Sequence, residues 1–215
     1  VERVLDWMER DPVYQNYFEL AFFTGLRTSE LIALQWGDVD WRRRTVTVQR
    51  ARVRRERKVT KTAVIREVEL HSRALDALRR QKALTFLAGD WIFLHPATGQ
   101  PFNDDKPPRL VWISALKACG LRHRDAYATR HTYITLALMS GANVLWVSRQ
   151  AGHATTVMTL TRYAKWIDQA DQGREIGLLE TALRRHVPAT SQLTLPKTLK
   201  SQLKQGTYVG RRLPY

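Results

Sequence analysis

The chain has 215 residues, 44% of them hydrophobic, which is enough for one full hydrophobic core and little more. Its 35 Lys and Arg against 20 Asp and Glu give a formal charge of +15, which favours a polyanionic partner, nucleic acid ahead of an anionic membrane surface. A single cysteine excludes an intrachain disulfide, and no apolar run reaches the roughly 18 residues of a membrane span, so we expect a cytoplasmic protein without a membrane partner.

The N-terminal part is predicted to be helical up to a glycine turn. Asp11 and Pro12 follow the short helix VERVLDWMER and suit the N-cap and first turn of a second helix. Gly25 is predicted to end that helix in the left-handed conformation. Thr28 or Ser29 is then predicted to cap a further helix, LIALQW.

From residue 45 the hydrophobic period changes to two. The segments TVTV and AVIREVEL flank a very basic middle, which predicts an antiparallel hairpin with a long turn near residues 45–70. Helical spacing returns over 73–87, DWIF indicates a brief extended piece, and HPATGQPFNDDKPP indicates a surface loop. The remaining helices are predicted near 109–119, 126–140, 144–151 after an Asn143 cap, 156–166 and 170–186. The pattern predicts an α+β fold that is mainly α-helical.

Two arginines stand out by their context. A phosphodiester under attack gathers negative charge on its non-bridging oxygens, and guanidinium groups match those oxygens in pairs. Arg27, in TGLRTSE, follows a glycine turn at a predicted helix start, where backbone N–H groups and the helix dipole would add to its charge. Arg130 lies in YATRHT. Either arginine alone is more often a solvated surface residue.

Four motifs together are more specific than any arginine. TGLRTSEL, TKT in the predicted hairpin, YATRHTYIT, and AGH followed ten residues later by RYAKW resemble, in order and spacing, the tyrosine recombinase, or phage integrase, family. The resemblance covers roughly residues 1 to 175 and implies the fold of that family's catalytic domain. The catalytic residues that it implies are Arg27, Lys61, Arg130, His153 and Tyr163.

The implied roles follow the family's chemistry. The two arginines bind the reacting phosphate, Lys61 protonates the departing 5′ oxygen, and Tyr163 is the nucleophile. A phenol ionises near pH 10, so the arginines and a histidine acceptor, for which His153 is suited, would stabilise its anion. No metal or other cofactor is expected. His123, His131 and Cys119 lack zinc-site spacing, and acidic clusters for magnesium are absent from the sequence.

Supporting residues surround this set. Glu30 lies one helical turn from Arg27, where an ion pair would brace the site rather than transfer a proton. Tyr127 stands where the family commonly has histidine; it can donate to a phosphate oxygen but cannot shuttle a proton near neutral pH as imidazole does. His131, after the second arginine, is predicted to hydrogen-bond locally and order the site.

Several readings remain open. Tyr163 could be a packing residue of an apolar helix face, His153 a capping or core histidine, and Lys61 a phosphate contact without a catalytic role, in which case Lys58 is the fallback. The predicted DNA-binding residues of the hairpin are Arg52, Arg54, Arg55 and Lys58.

The resemblance implies a site-specific recombinase that makes a 3′-phosphotyrosyl link and a free 5′ hydroxyl, for integration and excision of a phage or another mobile element. Relaxation of DNA as by a type IB topoisomerase, or DNA binding without catalysis, are the alternatives. The expected partner is double-stranded DNA with specific recombination sites, bound by a homotetramer, with a monomer in isolation.

The domain prediction divides the chain in two. Residues 1–183 are predicted to form the catalytic domain, without the N-terminal core-binding domain that family members usually carry. Residues 184–215 form a basic tail after Glu180, the last acidic residue. Leu195, Leu199 and Leu203 repeat at helical spacing, so the tail is predicted either to dock on a neighbouring protomer or to contact DNA as a disordered segment.

Overall fold

The computed structural model describes residues 1–53, 56–58, 65–171 and 174–186. They fall into two compact units that divide after Gln172, and the described element of the second unit is helix α9 (Arg174–His186). The predicted tail beyond His186 lies outside these ranges. The predicted domain boundary between residues 183 and 184 therefore stays a prediction. Among the described helices, none is both long enough and apolar enough to cross a bilayer.

The structure confirms the mainly helical α+β fold with a small antiparallel sheet. The helices of the first unit are α1 (Glu2–Trp7), α2 (Pro12–Thr24), α3 (Thr28–Leu31), α4 (Ser72–Thr85), α5 (Lys106–Ala118), α6 (Ala128–Met139), α7 (Val144–Ala151) and α8 (Thr156–Asp171). The strands are β1 (Val39–Asp40), β2 (Thr45–Val48), β3 (Ala51–Val53), β4 (Glu56–Lys58) and β5 (Arg66–Glu69).

The strands form two antiparallel sets. One sheet has the order β1-β2-β5, with Thr45 opposite Glu69 and Val48 opposite Arg66, and β3 pairs with β4 in a separate ribbon. This pairing confirms the antiparallel hairpin predicted from the period of two. Because alternate side chains face the same side, Val68 and Arg66 share the inward face of β5.

Helix α2 begins and ends where the sequence predicts. The Asp11 carboxylate accepts hydrogen bonds from the backbone N–H groups of Val13 and Tyr14, and Pro12 occupies the first turn. Gly25 ends the helix at φ 63°, and a Cβ there would lie 2.5 Å from Cδ1 of Tyr133. The glycine therefore serves both the left-handed turn and the close approach of α6.

The predicted helix LIALQW is wrong. Helix α3 has only four residues, its N-cap is Arg27, and the Glu30 carboxylate accepts from the Arg27 backbone N–H at 2.9 Å, so neither Thr28 nor Ser29 is the cap. The chain leaves the helix because Leu34 and its neighbours pair with the 90–92 segment, where Ile92 N–H donates to the Leu34 carbonyl at 3.1 Å. A four-residue helix has only a small dipole, so the helix adds less to the charge of Arg27 than a longer helix would.

Two further boundaries differ from the prediction. Helix α5 starts at Lys106 rather than near 109, because Pro107 and Pro108 fit the first turn, where a backbone N–H has no helical partner. Helix α8 continues to Asp171, beyond the predicted end at 166. Asn143 caps α7 as predicted, with its side chain accepting from the N–H groups of Leu145 and Trp146.

The buried apolar side chains form two clusters. The larger cluster joins α1, α2, α4 and α5 to the sheet around an aromatic centre of Tyr17, Phe18, Phe93, Phe102 and Trp112. The smaller cluster lies between α6, α7 and α8 and consists of Ile134, Leu138, Val147, Ala151 and Tyr163. Of the sequence motifs, TGLRTSEL contributes Leu26 and Leu31 to the larger cluster, and YATRHTYIT and RYAKW contribute Ile134 and Tyr163 to the smaller one, whereas TKT lies outside the described residues.

Candidate active site

Arg27 is held at the end of the larger cluster with its side chain about one-third exposed. Its Nη1 donates to Oε1 of Glu30 at 2.7 Å, and its Nη2 donates to the carbonyl of Gly152 at 2.9 Å. The predicted ion pair with Glu30 is therefore present in the structure. A guanidinium fixed by two bonds on one side can present its remaining N–H edge to an anion.

Arg130 is fully buried at the start of α6. Its Nη1 donates to the Gly25 carbonyl at 2.7 Å, whereas Nε and Nη2 find no acceptor among the described residues. Burial lowers the pKa of Arg130, and the charges of Arg27 and Arg66 lower it further, while Tyr127 and Glu30 raise it. Buried N–H donors without a partner are costly, so these two groups indicate a site for an anionic oxygen.

Tyr163 lies in the smaller cluster with only 2% of its surface exposed, and its hydroxyl is close to a histidine. Nδ1 of His131 is 2.5 Å from Oη of Tyr163, and Nη2 of Arg162 is 3.3 Å from Nε2 of the same imidazole. Burial raises the pKa of Tyr163, although the charges of Arg162 and Arg130 oppose the shift. The phenol is therefore protonated at neutral pH in the absence of a substrate.

The contacts of His131 define its tautomer. A guanidinium only donates, so Nε2 accepts from Arg162 and a neutral imidazole carries its proton on Nδ1. Burial and the charges of Arg162 and Arg130 lower the pKa of His131, which favours the neutral form. His131 thus donates to the oxygen of Tyr163, a bond that becomes stronger as that oxygen gains negative charge.

His153 follows a helix end and contacts a different hydroxyl. Gly152 ends α7 at φ 66°, and Nδ1 of His153 is 2.7 Å from Oγ1 of Thr159, one turn before Tyr163 on α8. Burial lowers the pKa of His153 to about 4, helped by the charges of Arg130 and Arg27. The histidine in contact with the tyrosine hydroxyl is therefore His131, and the predicted role of His153 as proton acceptor stays a prediction.

Tyr127 lies beside the second arginine. Its ring meets the His131 ring edge to face, with centroids 5.0 Å apart, and the Arg130 guanidinium is 5.8 Å from the ring centroid. The structure thus brings Tyr127, His131 and Tyr163 into one row of rings. A phosphate contact by Tyr127 remains a prediction.

The hairpin residues are only partly described. Lys61, Arg54 and Arg55 lie outside the described residues, and of Lys58 only the backbone, in β4, is described. Arg52 packs on the Trp91 ring at 4.6 Å and donates to the Phe102 carbonyl. The roles predicted for these residues stay predictions.

The sequence reasoning missed Arg66. Its Nη1 and Nη2 donate to the two carboxylate oxygens of Glu30 at 3.0 and 2.8 Å, and its Nε donates to the Gln150 carbonyl at 3.2 Å. One signal could have found it: in the predicted strand, Arg66 shares the face of Val68, and an arginine on an inward face indicates a buried partner.

Glu30 is the shared acceptor of this group. Burial raises the pKa of its carboxyl, but the hydrogen bonds and charge of Arg66 and then of Arg27 outweigh burial, so the pKa is lowered overall. The carboxylate is therefore ionised at neutral pH. Within the described parts of the chain, no group of three or more His, Cys, Asp or Glu side chains could hold a metal ion.

Comparisons with known proteins show which proteins this chain resembles. The sequence profile of the "Phage integrase family" matches residues 1–169. Prophage integrase IntR of Escherichia coli (strain K12) is 31% identical over 193 residues, which cover 79% of this chain and 47% of IntR. Tyrosine recombinase XerC-like of Caldanaerobacter subterraneus subsp. tengcongensis is 28% identical over 171 residues, covering 68% of this chain and 44% of that protein.

A solved structure has the same fold. The Tn1549 transposon integrase (aa 82-397, R225K), in complex with a circular intermediate DNA, superposes with a TM-score of 0.66 at 21% identity and covers 75% of this chain and 58% of that one. The chain spans about half the length of the curated relatives that it matches.

Proposed function

The chain belongs to the phage integrase family, and we propose that it is the catalytic part of a site-specific recombinase that cleaves and rejoins DNA strands. The observation that carries this proposal is Arg130, which is fully buried near Arg27 and Tyr163 and whose Nε and Nη2 have no acceptor within the described part of the chain. A non-bridging phosphate oxygen satisfies those donors, and a phosphate at this place is within the field of both arginines.

In the proposed reaction, Oη of Tyr163 attacks the phosphorus, its proton passes to His153, the predicted acceptor, and the bond between the phosphorus and the 5′ oxygen breaks. The product is a 3′-phosphotyrosyl link, and Lys61 supplies the proton of the departing 5′ hydroxyl. The guanidiniums of Arg27 and Arg130 stabilise the charge that develops on the non-bridging oxygens. The Nδ1–H of His131 donates to the phenolic oxygen as it loses its proton, which lowers the cost of ionising a buried phenol.

Reversal of this step by a 5′ hydroxyl from a second duplex exchanges strands. Because the covalent link retains the energy of the phosphodiester, no metal or nucleotide is needed. We propose that the exchange serves integration and excision of a prophage or another mobile element in the cytoplasm, at the nucleoid. Two similar proteins support this: IntR is a prophage integrase, and the Tn1549 transposon integrase was solved in complex with a circular intermediate DNA.

The proposed assembly is a homotetramer on paired recombination sites. Deleting residues 190–215 is expected to leave cleavage of a single half-site intact while weakening assembly on a full site, which native gel electrophoresis with labelled DNA measures. Loss of half-site cleavage on deletion would instead assign the tail to the DNA-contacting surface.

The test of the proposed function is a covalent adduct. Duplexes drawn from the direct repeats that flank the gene, nicked so that the short cleaved strand diffuses away, are incubated with the chain and resolved on a denaturing gel. The wild type is expected to form an adduct, and Tyr163→Phe to bind DNA and form none. Tyr17→Phe is the matched control, because that hydroxyl is buried in the larger cluster and has no hydrogen-bond partner among the described residues.

Three outcomes would contradict the proposal. An adduct that survives in Tyr163→Phe would remove the nucleophile assignment. If the wild type binds every repeat tried but forms no adduct, the chain is a DNA-binding module without catalysis. Relaxation of plasmids without site preference would favour a topoisomerase over a recombinase.

A further inference from the structure

Each of the three guanidinium nitrogens of Arg66 donates a hydrogen bond inside the protein. Two nitrogens bind the Glu30 carboxylate in a bidentate pair, the third binds the Gln150 carbonyl, and the side chain is 14% exposed. A bidentate arginine–carboxylate pair fixes both the distance and the plane of the two groups. Arg66 therefore determines where the carboxylate of Glu30 lies.

Glu30 is shared between two arginines. Oε1 accepts from Nη1 of Arg27 and of Arg66, and Oε2 accepts from the Arg27 backbone N–H and from Nη2 of Arg66. One carboxylate thus faces two guanidiniums, so the three side chains carry a net charge of +1. Without Arg66, Arg27 and Glu30 would form a neutral pair, and Arg27 would attract an anion less strongly.

Arg66 lies where strand β5 of the sheet contacts helix α7. The Glu69 backbone N–H donates to Oε1 of Gln150, so both ends of β5 are tied to one residue near the end of α7. A Cβ on Gly152 would lie 2.7 Å from Cζ of Arg66, so the guanidinium packs directly on the turn that precedes His153. Arg66 also begins β5, five residues after Lys61 in the chain.

These contacts lead to one proposal, which rests on the proposed function. We propose that Arg66 is a positioning residue for DNA cleavage: it holds the Glu30 carboxylate that Arg27 also binds, leaves the group with net positive charge for the phosphate, and fixes the Gly152 turn against β5. Arg66 acts through Glu30 and Gly152 and does not itself touch the reacting phosphate.

The experiment compares Arg66→Met with a matched control, Arg43→Met. Arg43 also forms a bidentate pair with a glutamate of β5, Glu67, with both distances 2.7 Å, but that pair is exposed and faces away from the site. At protein concentrations well above the Kd for the nicked duplex, we expect single-turnover cleavage by Arg66→Met to fall about 10²-fold, as displacement of a positioned group does. The Kd should change less than about threefold.

Arg66→Lys separates charge from geometry. Lysine restores the positive charge beside Glu30 but not the bidentate pair, so we expect a cleavage rate between those of the wild type and Arg66→Met. Arg43→Met should cleave within about twofold of the wild type. If Arg66→Met folds and cleaves like Arg43→Met, or if Arg66→Met fails to fold and Arg66→Lys cleaves like the wild type, the proposal is wrong.

The pH profile gives a readout that a purely structural role would not move. The charged groups that face Glu30 are Arg27 from the N-cap of α3, Arg66 from β5 and Arg130 from α6. Removing the charge of Arg66 raises the pKa of the buried Glu30 carboxyl. As the pH is lowered, the cleavage rate of Arg66→Met should therefore begin to fall at a higher pH than the wild-type rate does. Arg66→Lys should restore the wild-type acid limb.

A titration with inorganic phosphate separates this proposal from the proposed function. NMR signals of the arginine Nε–H groups of Arg27 and Arg130 report phosphate at the site without any cleavage. We expect the apparent Kd for phosphate to rise about tenfold in Arg66→Met and to stay unchanged in Arg43→Met. If the wild type forms no adduct, the proposed function is wrong. Equal phosphate binding by the wild type and Arg66→Met is a separate result, and it would overturn the role proposed for Arg66 whether or not an adduct forms.

Discussion

The two hydrophobic clusters of residues 1–172 contribute different things to the site. The larger cluster, around Tyr17 and Trp112, ends at the turn that carries Arg27 and Glu30, and these groups are held by ion pairs and backbone hydrogen bonds. The smaller cluster between α6, α7 and α8 includes Tyr163 itself among its packed side chains. The Arg27–Glu30 pair thus lies beside the larger cluster, and Tyr163, the proposed nucleophile, belongs to the smaller one.

The arginines join the two clusters reciprocally. Arg27, on the larger cluster, donates to the carbonyl of Gly152 at the end of α7, and Arg130, on the smaller cluster's side, donates to the carbonyl of Gly25 at the end of α2. Both glycines are left-handed helix ends. The two arginines that are proposed to bind the phosphate therefore also connect the larger cluster to the helices that carry Tyr163, the proposed nucleophile.

Among these variants, we expect Arg130→Lys, which changes the contact between the two clusters, to have the largest effect on cleavage. Lysine cannot donate to the Gly25 carbonyl and to two phosphate oxygens from one plane, so we expect cleavage to fall about 10²- to 10³-fold while the Kd for DNA rises much less. Single-turnover cleavage and a binding titration measure the two effects. Arg79→Lys, an exposed arginine paired with Asp76, should change neither. An equal loss of rate and affinity would mean that Arg130 only binds DNA.

Gly152→Ala tests the turn that receives Arg27. Alanine at φ 66° costs about 1 kcal/mol of unfolding free energy, and its Cβ must displace the Arg66 guanidinium. Gly99→Ala carries the same backbone strain at φ 64° with nothing within 4 Å of the new Cβ, so it is the matched control. We expect a stability loss of about 2–3 kcal/mol in Gly152→Ala with cleavage slowed at least about tenfold. Equal losses in the two variants would show that strain alone matters.

Leu138→Ala and Leu78→Ala compare the clusters directly. Both leucines are almost fully buried, one in the smaller cluster and one in the larger, and each truncation should cost about 3 kcal/mol of unfolding free energy. Because Leu138 packs in the cluster of Tyr163, its loss should also slow cleavage by folded molecules severalfold. Chemical denaturation and single-turnover rates measure the two effects. A slower rate in Leu78→Ala would mean that the larger cluster also positions the nucleophile.

Local signals predicted most of the fold. Asp11, Gly25 and Asn143 act through neighbours within four residues, so sequence was sufficient for the helix ends that they define. The end of α3 was predicted wrongly because it depends on the pairing of Leu34 with Ile92, far apart in the chain. Long-range backbone pairing leaves no local pattern at the helix that it shortens.

The candidate site divides in the same way. The Arg27–Glu30 pair is local and was predicted from its spacing of three residues. The contact of Tyr163 with His131 depends on how α6 packs against α8, and the contact of Arg66 with Glu30 spans 36 residues. Sequence could therefore name the arginines and the tyrosine but not the partners that orient them.

The smallest expected effect is a pH dependence of stability that originates near the smaller cluster. Burial and the neighbouring arginines hold the pKa of His153 at about 4, against about 6.5 in an unfolded chain. Between these values the unfolded state binds more protons, so stability falls as the pH is lowered through this window. Because His153 is only half-buried, solvent screens the effect, and we expect a loss of about 1 kcal/mol between about pH 7 and pH 5. Urea unfolding at the two pH values should show this loss in the wild type and in His123→Gln, an exposed histidine, and a clearly smaller loss in His153→Gln, in which His131 still titrates. An equal loss in all three proteins would place the titrating group elsewhere, with His131, whose pKa is lowered in the same direction, as the next variant to measure.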